Sequence, residues 1–319
     1  MGAIKLLQSI KNHLGFYVLG AMASGLLIGT LDRPPFLRFF IPVALFMMLY
    51  PMMLDTGLKK IGKVVRRPGI LVLSLIINFG FCPLLITALT HLLRLDTSPA
   101  LTIGLLLYAT IPCGGMVPAF TGILNGNLTL SITITAVSLL ISIIMVPFWT
   151  SLLISEIIAV PVMLIAKYLF LMIIFPLALA GLSRRVVTRK WGKSGYQNFS
   201  VRMKDVTGLG LTLLCFIMFV LNGNVVLQDP GLILKILLPI VSFLLILLIG
   251  TTLWCKLAKV AKEDAIALTI SSSAKNNALS LALAIAVFGG EVGMINTIAG
   301  PMVQLPIMIT YLKLNKAGA

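Results

Sequence analysis

The chain has 319 residues, of which 59% are apolar and 11% are charged, and its mean hydropathy is +1.09. Soluble domains have about 45–50% apolar and about 25% charged residues, so the composition excludes a soluble protein and predicts an integral protein of the lipid bilayer. The net charge of +16 does not indicate a nucleic-acid partner. Nearly all basic residues lie between hydrophobic runs, where the positive-inside rule accounts for them.

Apolar runs of the length needed to cross a bilayer, about 20 residues each, follow one another along the chain. Only helices and closed barrels satisfy their backbone in lipid, and the runs lack the alternation of strands. We therefore predict an all-α membrane protein with ten transmembrane helices. The predicted spans are 14–31, 36–54, 69–93, 99–124, 128–154, 157–183, 206–227, 231–255, 265–288 and 292–312.

Lysine and arginine are distributed unevenly between the two sides of this arrangement. Of the 25 basic residues, 19 lie on the side of both termini and 4 lie on the opposite side. Lys167 and Lys275 fall within spans. The excess predicts that both termini are in the cytoplasm. We expect the protein in the plasma membrane.

The basic segment 184–204, which we expect to be a cytoplasmic loop, divides a single membrane domain. Residues 1–183 hold the first repeat half and the start of the second half at span 6, and residues 205–319 hold the remainder. Because each half has five spans, equivalent halves would cross the membrane in opposite directions, as in inverted-repeat transporters. A ten-helix bundle without symmetry is the alternative.

Two spans contain residues that break helices. Span 4 has TIPCGGMVP at 110–118, in which two prolines flank a glycine pair, and span 9 has SSSAKNN at 271–277. Proline and glycine weaken a helix, and small polar side chains compete for its backbone groups. Such freed groups are tolerated at membrane depth where they are buried in protein or line a watery cavity. We interpret the two breaks as one shared binding site rather than as unrelated kinks.

The spans lack the residues that catalysis requires. No Asp or Glu lies within a predicted span, His13 and His91 are the two histidines, and the four cysteines show no CxxC spacing. We therefore expect a transporter rather than an enzyme, with no cofactor and no metal site. Broken helices in inverted halves favour alternating access over a continuous pore.

Five runs of the sequence are characteristic of one group of transporters. They are YPMML (50–54), RRPGILVLSLIINFGFCPLL (66–85), IPCGGMVPAFTGILNGNLTLSITITAVSLL (111–140), AKNNALSLALAIAVFGG (274–290) and AGPMVQLPIM (299–308). In these runs, and so over nearly its whole length, the chain resembles the bile acid:sodium symporter superfamily, which includes the arsenite permeases. The resemblance implies two inverted five-helix repeats, a panel and a core domain, and broken helices 4 and 9 that cross.

The resemblance also implies two sodium sites, and this chain departs from both. In the sodium-coupled branch, one site uses a Ser-Asn pair after the glycine pair of helix 4. That pair is missing here, although Ser131 and Thr135 match the helix-5 positions. The other site uses a glutamine in helix 3, where this chain has Asn78.

The second site also uses a Glu-x-x-x-Gln-Asn run in helix 9, where this chain has Ser271, Lys275 and Asn276. A sodium ion taken from water usually needs a carboxylate to offset its desolvation. We therefore expect coupling to protons, or to no ion, rather than to sodium. Lys275 could supply the positive charge itself and attract an anion. Snorkelling to the interface is the alternative for Lys275, and it is our interpretation of Lys167.

The preferred hypothesis is a secondary transporter for a small anionic solute. The candidate binding residues are Ser271, Lys275, Asn276, Asn277, Asn78, Ser131, Thr135, Cys113, Gly114 and Gly115.

Cys113 favours a second function, efflux of the metalloid oxyanions arsenite or antimonite, because a thiolate is a good soft ligand. The arsenite permeases carry a cysteine in the broken fourth helix, and CGGMV retains it. They also have Asn-Asn-Phe-Glu in helix 9, whereas here Ala-Leu-Ser follows Asn276 and Asn277. An incidental buried cysteine is the other interpretation. A sodium-dependent organic anion symporter is a further alternative.

Overall fold

The described part of the protein, residues 14–54, 68–95, 98–155 and 160–316 of a computed structural model, is built from helices. This confirms the predicted all-α membrane protein. In chain order the helices are α1 (Leu14–Leu31), α2 (Pro35–Leu54), α3 (Gly69–Leu92), α4 (Pro99–Thr110), α5 (Val117–Ile123), α6 (Leu128–Ile154), α7 (Val162–Asn222), α8 (Asn224–Gln228), α9 (Leu232–Leu257), α10 (Lys262–Ser273), α11 (Asn277–Phe288) and α12 (Gly290–Asn315).

Within the described ranges, seven helices are long and apolar enough to cross a membrane, namely α1, α2, α3, α6, α7, α9 and α12. The element α7 covers predicted spans 6 and 7 with two helical stretches, 162–191 and 193–222, which are separated by a kink at Gly192. Predicted span 4 is divided into α4 and α5, and predicted span 9 into α10 and α11. Helices therefore occupy all ten predicted spans as far as they are described, whereas the inverted repeat and the panel and core domains remain predictions.

The basic segment 184–204 is helical on both sides of Gly192, and its role as a cytoplasmic connection between spans 6 and 7 stays a prediction. Within α7 the non-helical residue is Gly192, whose φ of 72° lies in the left-handed region that glycine adopts without a Cβ penalty. The helix on each side of Gly192 has about 30 residues and so is about 45 Å long, which exceeds the hydrocarbon thickness of about 30 Å. The basic tip can therefore project beyond the hydrocarbon while remaining helical.

Two side chains of the basic segment 184–204 contact the C-terminal end of α2. The Arg184 guanidinium and the Tyr196 hydroxyl both donate to the carbonyl oxygen of Leu54, at 3.0 and 2.7 Å. Arg184 also lies over the Tyr196 ring, 5.2 Å from its centroid. The last carbonyls of a helix lack partners within it, so these two donors satisfy a group that would otherwise be free.

Helices α1 and α2 pack mainly on α7. Glycines allow the closest approach, because a Cβ at Gly25 or Gly29 would lie 2.7 or 2.5 Å from a carbonyl oxygen of α7. The other helices, apart from α8, contribute to a second group around the two breaks. The break residues 111–114 and 274–276 are buried, whereas Met116 is 44% exposed. Helix α2 reaches this second group at α11.

Candidate functional site

The two helix breaks meet inside the protein. The amide of Gly114 donates to the carbonyl of Ala274 at 2.8 Å, and the amide of Asn276 donates to the carbonyl of Pro112 at 2.9 Å. The unwound segments between α4 and α5 and between α10 and α11 thus run antiparallel as two short extended pieces. Each piece satisfies backbone groups that the other has freed, as buried backbone requires.

Cys113 lies opposite Lys275 in this bridge. The hydrogen bonds come from the flanking residues, and in such a non-hydrogen-bonded pair the Cα atoms lie about 4.5 Å apart. Gly114 permits the approach, since a Cβ there would be 3.0 Å from the carbonyl oxygen of Lys275. The structure therefore brings the candidates Cys113, Gly114 and Lys275 together.

The ammonium group of Lys275 is held by uncharged neighbours. Its side chain is 2% exposed, and Nζ donates to Oδ1 of Asn78 at 2.9 Å. The thiol of Cys82 lies near this ammonium, and Nζ lies 5.9 Å from the ring centroid of Phe243. Among the residues that the structure describes, no carboxylate pairs with Lys275. The neighbours of the ammonium are thus an amide, a thiol and an aromatic ring, none of which carries a negative charge.

Lys235, near the start of α9, shows the opposite arrangement. Its ammonium lies 2.6 Å from a carboxylate oxygen of Asp229, and about half of each side chain is exposed. The hydrogen bond from Lys235 lowers the pKa of the Asp229 carboxyl. A lysine near the end of a span therefore has an anionic partner and access to water, whereas Lys275 has neither.

Asn78 is oriented by its own hydrogen bonds. Its Nδ2 donates to the carbonyl oxygens of Ser74 and Ser271, at 2.9 and 3.2 Å, which leaves Oδ1 to face Lys275. The hydroxyl of Ser271 lies 3.1 Å from that of Ser74. Asn78 lies on a π-helical segment of α3, Ile77–Phe81, and such segments are frequent at functional sites. The structure thus groups Asn78, Ser271 and Lys275, as the resemblance implied.

Cys113 faces a row of hydroxyl groups on α6. Its sulfur lies 3.2 Å from Oγ of Ser138 and 3.6 Å from Oγ1 of Thr135. Ser131, Thr135 and Ser138 recur at helical spacing and therefore share one face. The hydroxyl of Ser131 donates to Leu128, one turn away from the sulfur. The predicted residue Thr135 thus contacts the break directly, whereas the hydroxyl of Ser131 bonds its own helix.

Asn276, Asn277 and Gly115 contact other parts of the protein. The side-chain oxygen of Asn276 accepts from the amide of Leu279 and caps α11, and its Nδ2 lies 3.5 Å from the sulfur of Met52. Asn277 packs against Gly300, where a Cβ would lie 2.6 Å from its Cγ. Gly115 lies against Met52 of α2. Solute binding by these three residues stays a prediction.

Unused hydrogen-bonding groups remain beside the bridge. The hydroxyls of Ser272 and Ser273 and Oδ1 of Asn277 are buried without a partner in the described residues. Most buried polar side-chain atoms have a hydrogen-bond partner in the protein or in ordered water. These groups are therefore available for hydrogen bonds to a polar ligand or to water.

Sequence reasoning missed five residues of this site: Ser74, Cys82, Tyr108, Phe243 and Gln304. Gln304 accepts hydrogen bonds from the Lys275 amide and the Tyr108 hydroxyl, at 2.9 and 2.6 Å, and donates to the Lys275 carbonyl at 3.0 Å. An amide side chain inside an apolar span was the signal that could have found it, because polar residues inside the membrane are costly and usually functional.

The family of the chain follows from its sequence over most of its length. Residues 42–229 match the family model of the Sodium Bile acid symporter family. The chain belongs to this family. The resemblance inferred from the motifs is thereby confirmed, and the protein is a multi-pass membrane transporter rather than an enzyme. Its orientation in the membrane and the plasma-membrane location stay predictions.

Relatives of this symporter-family chain align with almost all of it. The Arsenical-resistance protein Acr3 of Alkaliphilus metalliredigens is 26% identical, covering 96% of this chain and 92% of the relative. An uncharacterized transporter of Synechocystis sp. is 24% identical, covering 98% and 90%. The Arsenical-resistance protein Acr3 of Corynebacterium glutamicum is 23% identical, covering 95% and 81%.

Proposed function

We propose that this transporter moves a small anionic solute by alternating access, with the Lys275 ammonium as a fixed cation. The observation that carries the proposal is the burial of Lys275 at the bridge between the two breaks, with no carboxylate partner in the part of the chain that the structure describes. A buried cation without a counter-ion is costly, and ionisable residues retained at membrane depth usually serve function.

The surroundings of Lys275 suit an anion. The attraction between opposite charges is much stronger in a buried site than in water. Ser272 and Ser273 offer buried hydroxyl groups without partners, which can donate hydrogen bonds to an oxyanion or a carboxylate. The solute would thus meet one positive charge and two donors on the same short segment.

Sodium coupling is not expected, because a cation already occupies the helix-9 position that corresponds to a sodium ligand in the coupled branch. The Lys275 ammonium is bonded to Oδ1 of Asn78, an oxygen at a position that holds sodium in that branch. Ser271 stands where the branch has a glutamate, so the site lacks the charge that offsets sodium desolvation. Coupling to a proton, or to no ion, fits this arrangement.

Uptake by purified protein in liposomes tests this proposal. We expect uptake of at least one of pyruvate, malate and phosphate, at rates that agree within about twofold whether sodium or potassium is the external cation, because no sodium binding step is required. Empty liposomes are the control. Strict dependence on sodium, or failure to move any of the three anions, would contradict the proposal.

Efflux of arsenite is the second candidate function, and two observations favour it. Two of the relatives are named arsenical-resistance proteins. Cys113 places a sulfur atom at the bridge, beside the hydroxyls of Thr135 and Ser138. Sulfur is a good soft ligand, and the hydroxyl oxygens can accept hydrogen bonds from a hydroxylated metalloid.

Substitution of Cys113 with alanine separates the two functions. If the chain exports arsenite through this thiol, cells that express it should gain arsenite resistance, and Cys113→Ala should lose at least about tenfold in export rate through the loss of one ligand bond. Cys215→Ala is the matched control, because Cys215 is equally buried but lies in α7. Resistance that survives Cys113→Ala, or a parent protein that confers none, rules out this second function.

A further inference from the structure

The bridge between the breaks leaves one of its backbone edges open. Its hydrogen bonds use the amides of Gly114 and Asn276, so the N–H and C=O of Lys275 point away from the Cys113 segment. Both groups are buried and need partners. The side-chain amide of Gln304 is a partner for both, since its oxygen accepts from the Lys275 amide at 2.9 Å and its nitrogen donates to the Lys275 carbonyl at 3.0 Å. The Lys275 carbonyl also accepts from the amide of Asn277, at 3.1 Å. Gln304 thus takes the place of a third strand.

Tyr108 fixes the orientation of that amide. Its hydroxyl donates to Oε1 of Gln304 at 2.6 Å, so Oε1 accepts two hydrogen bonds and Nε2 must face the carbonyl of Lys275. Tyr108 is fully buried and Gln304 is 4% exposed. Bulk water therefore does not compete with these hydrogen bonds.

The same residues also reach the other end of the Lys275 side chain. The Tyr108 ring packs edge-on against Phe243, with ring centroids 6.2 Å apart, and the Phe243 ring faces the ammonium at 5.9 Å. A closed circuit of contacts therefore runs from the Lys275 backbone through Gln304, Tyr108 and Phe243 back to Nζ. Buried side chains rarely leave their preferred rotamers, so this ring of contacts keeps the Lys275 side chain in one direction.

We propose that Gln304 and Tyr108 are positioning residues that aim the Lys275 ammonium at Asn78. This inference rests on the proposed function, in which that ammonium attracts the transported anion. Asn78 and Gln304, the two amides that hold Lys275, both lie on π-helical segments, Ile77–Phe81 and Ile298–Gln304. A π segment inserts a residue into a helix and so turns the side chains that follow it. In both α3 and α12, the amide side chain that the π-helical segment carries contacts the break between α10 and α11.

Carbon-13 NMR of the detergent-solubilised full chain, labelled at the lysine Cε, tests the position of the side chain without any substrate. The Lys275 resonance is assigned by its loss in Lys275→Gln, and the nearby Phe243 ring should displace it from the other lysine resonances. In Gln304→Met, which removes all three hydrogen bonds of the amide, we expect it to move to the main lysine group. Gln228→Met is the matched control, because Gln228 is exposed at the end of α8.

Two further variants allow the same measurement if Gln304→Met does not fold. Tyr108→Phe keeps the ring and removes the hydroxyl, and Gln304→Glu keeps the acceptor oxygens and removes the donor, so each should move the resonance part of the way. A Lys275 resonance that keeps its position in all three variants overturns the proposal.

Uptake of pyruvate, malate and phosphate by the same variants tests the consequence for function. For the anion that the parent moves best, Gln304→Met should raise KM about tenfold, as expected when the two hydrogen bonds that hold the Lys275 backbone are lost. Loss of folded protein would instead lower the maximal rate at constant KM, and that result would overturn the positioning role. If the parent moves none of the three anions, the proposed function fails, while the NMR measurement still decides whether Gln304 positions Lys275.

Discussion

Replacing Lys275 with glutamine should reduce uptake of the transported anion by at least about a hundredfold. The substitution removes the positive charge that the buried site offers to the anion, and losing one partner of a buried charge interaction costs about 2–5 kcal/mol. Glutamine can still donate a hydrogen bond to Asn78, so the loss should reflect the charge rather than the packing. The measurement is the initial rate of pyruvate, malate or phosphate uptake into liposomes.

Lys167→Gln is the matched control for this experiment. Lys167 lies in α7 with an exposed side chain, so its replacement should leave uptake within about twofold of the parent. Lys275→Gln should also be at least as resistant to thermal unfolding as the parent, because it removes an unpaired buried charge. Wild-type uptake by Lys275→Gln would show that the ammonium is not the anion-binding cation.

Replacing Gly115 with alanine should lower transport about tenfold or more. A Cβ at this position would lie 1.9 Å from Cγ and 2.7 Å from the sulfur of Met52, which projects from α2 against the break. Overpacking of this kind costs about 1–3 kcal/mol, and each 1.4 kcal/mol changes an equilibrium tenfold. The variant should therefore disfavour the conformation in which α2 closes on the break, and alternating access needs every conformation in its cycle.

A second substitution can restore the missing space. Met52→Ala in the Gly115→Ala background removes the atoms that the new methyl group would meet, and we expect it to recover most of the uptake. Gly181→Ala is the control, because a Cβ on Gly181 would meet nothing within 4 Å. Full transport by Gly115→Ala, or no recovery in the double variant, would exclude a close approach of Met52 to Gly115 during transport.

Much of the architecture is predictable because lipid restricts the solutions that a chain can adopt. An apolar run must be helical to satisfy its backbone, and a run such as TIPCGGMVP cannot remain helical throughout. The pairing of the two breaks follows from the same rule, since freed backbone groups in the membrane need protein partners. The helical structure on both sides of Gly192 within 184–204 was not predicted, because polar composition indicates exposure to water and does not prevent a helix from continuing past the membrane.

The candidate site was predictable only in part. Lys275 and Asn78 were singled out because they are polar residues in apolar spans that match family positions, and the structure joins them by a hydrogen bond. Cys82, Tyr108 and Gln304 were missed because none of them differs in polarity from its surrounding span as strongly as a lysine does. Their importance comes from contacts with residues far away in the chain, such as the bond between Tyr108 and Gln304.

The sequence alone determined that the protein is a helical membrane transporter with two broken spans and a lysine in one of them. These features depend on the hydrophobicity, backbone chemistry and charge of neighbouring residues. Only the tertiary structure decided where that lysine points and what surrounds it. The direction of a side chain depends on how each helix is rotated about its axis, and the π-helical segments that carry Asn78 and Gln304 change this rotation without a clear local signal.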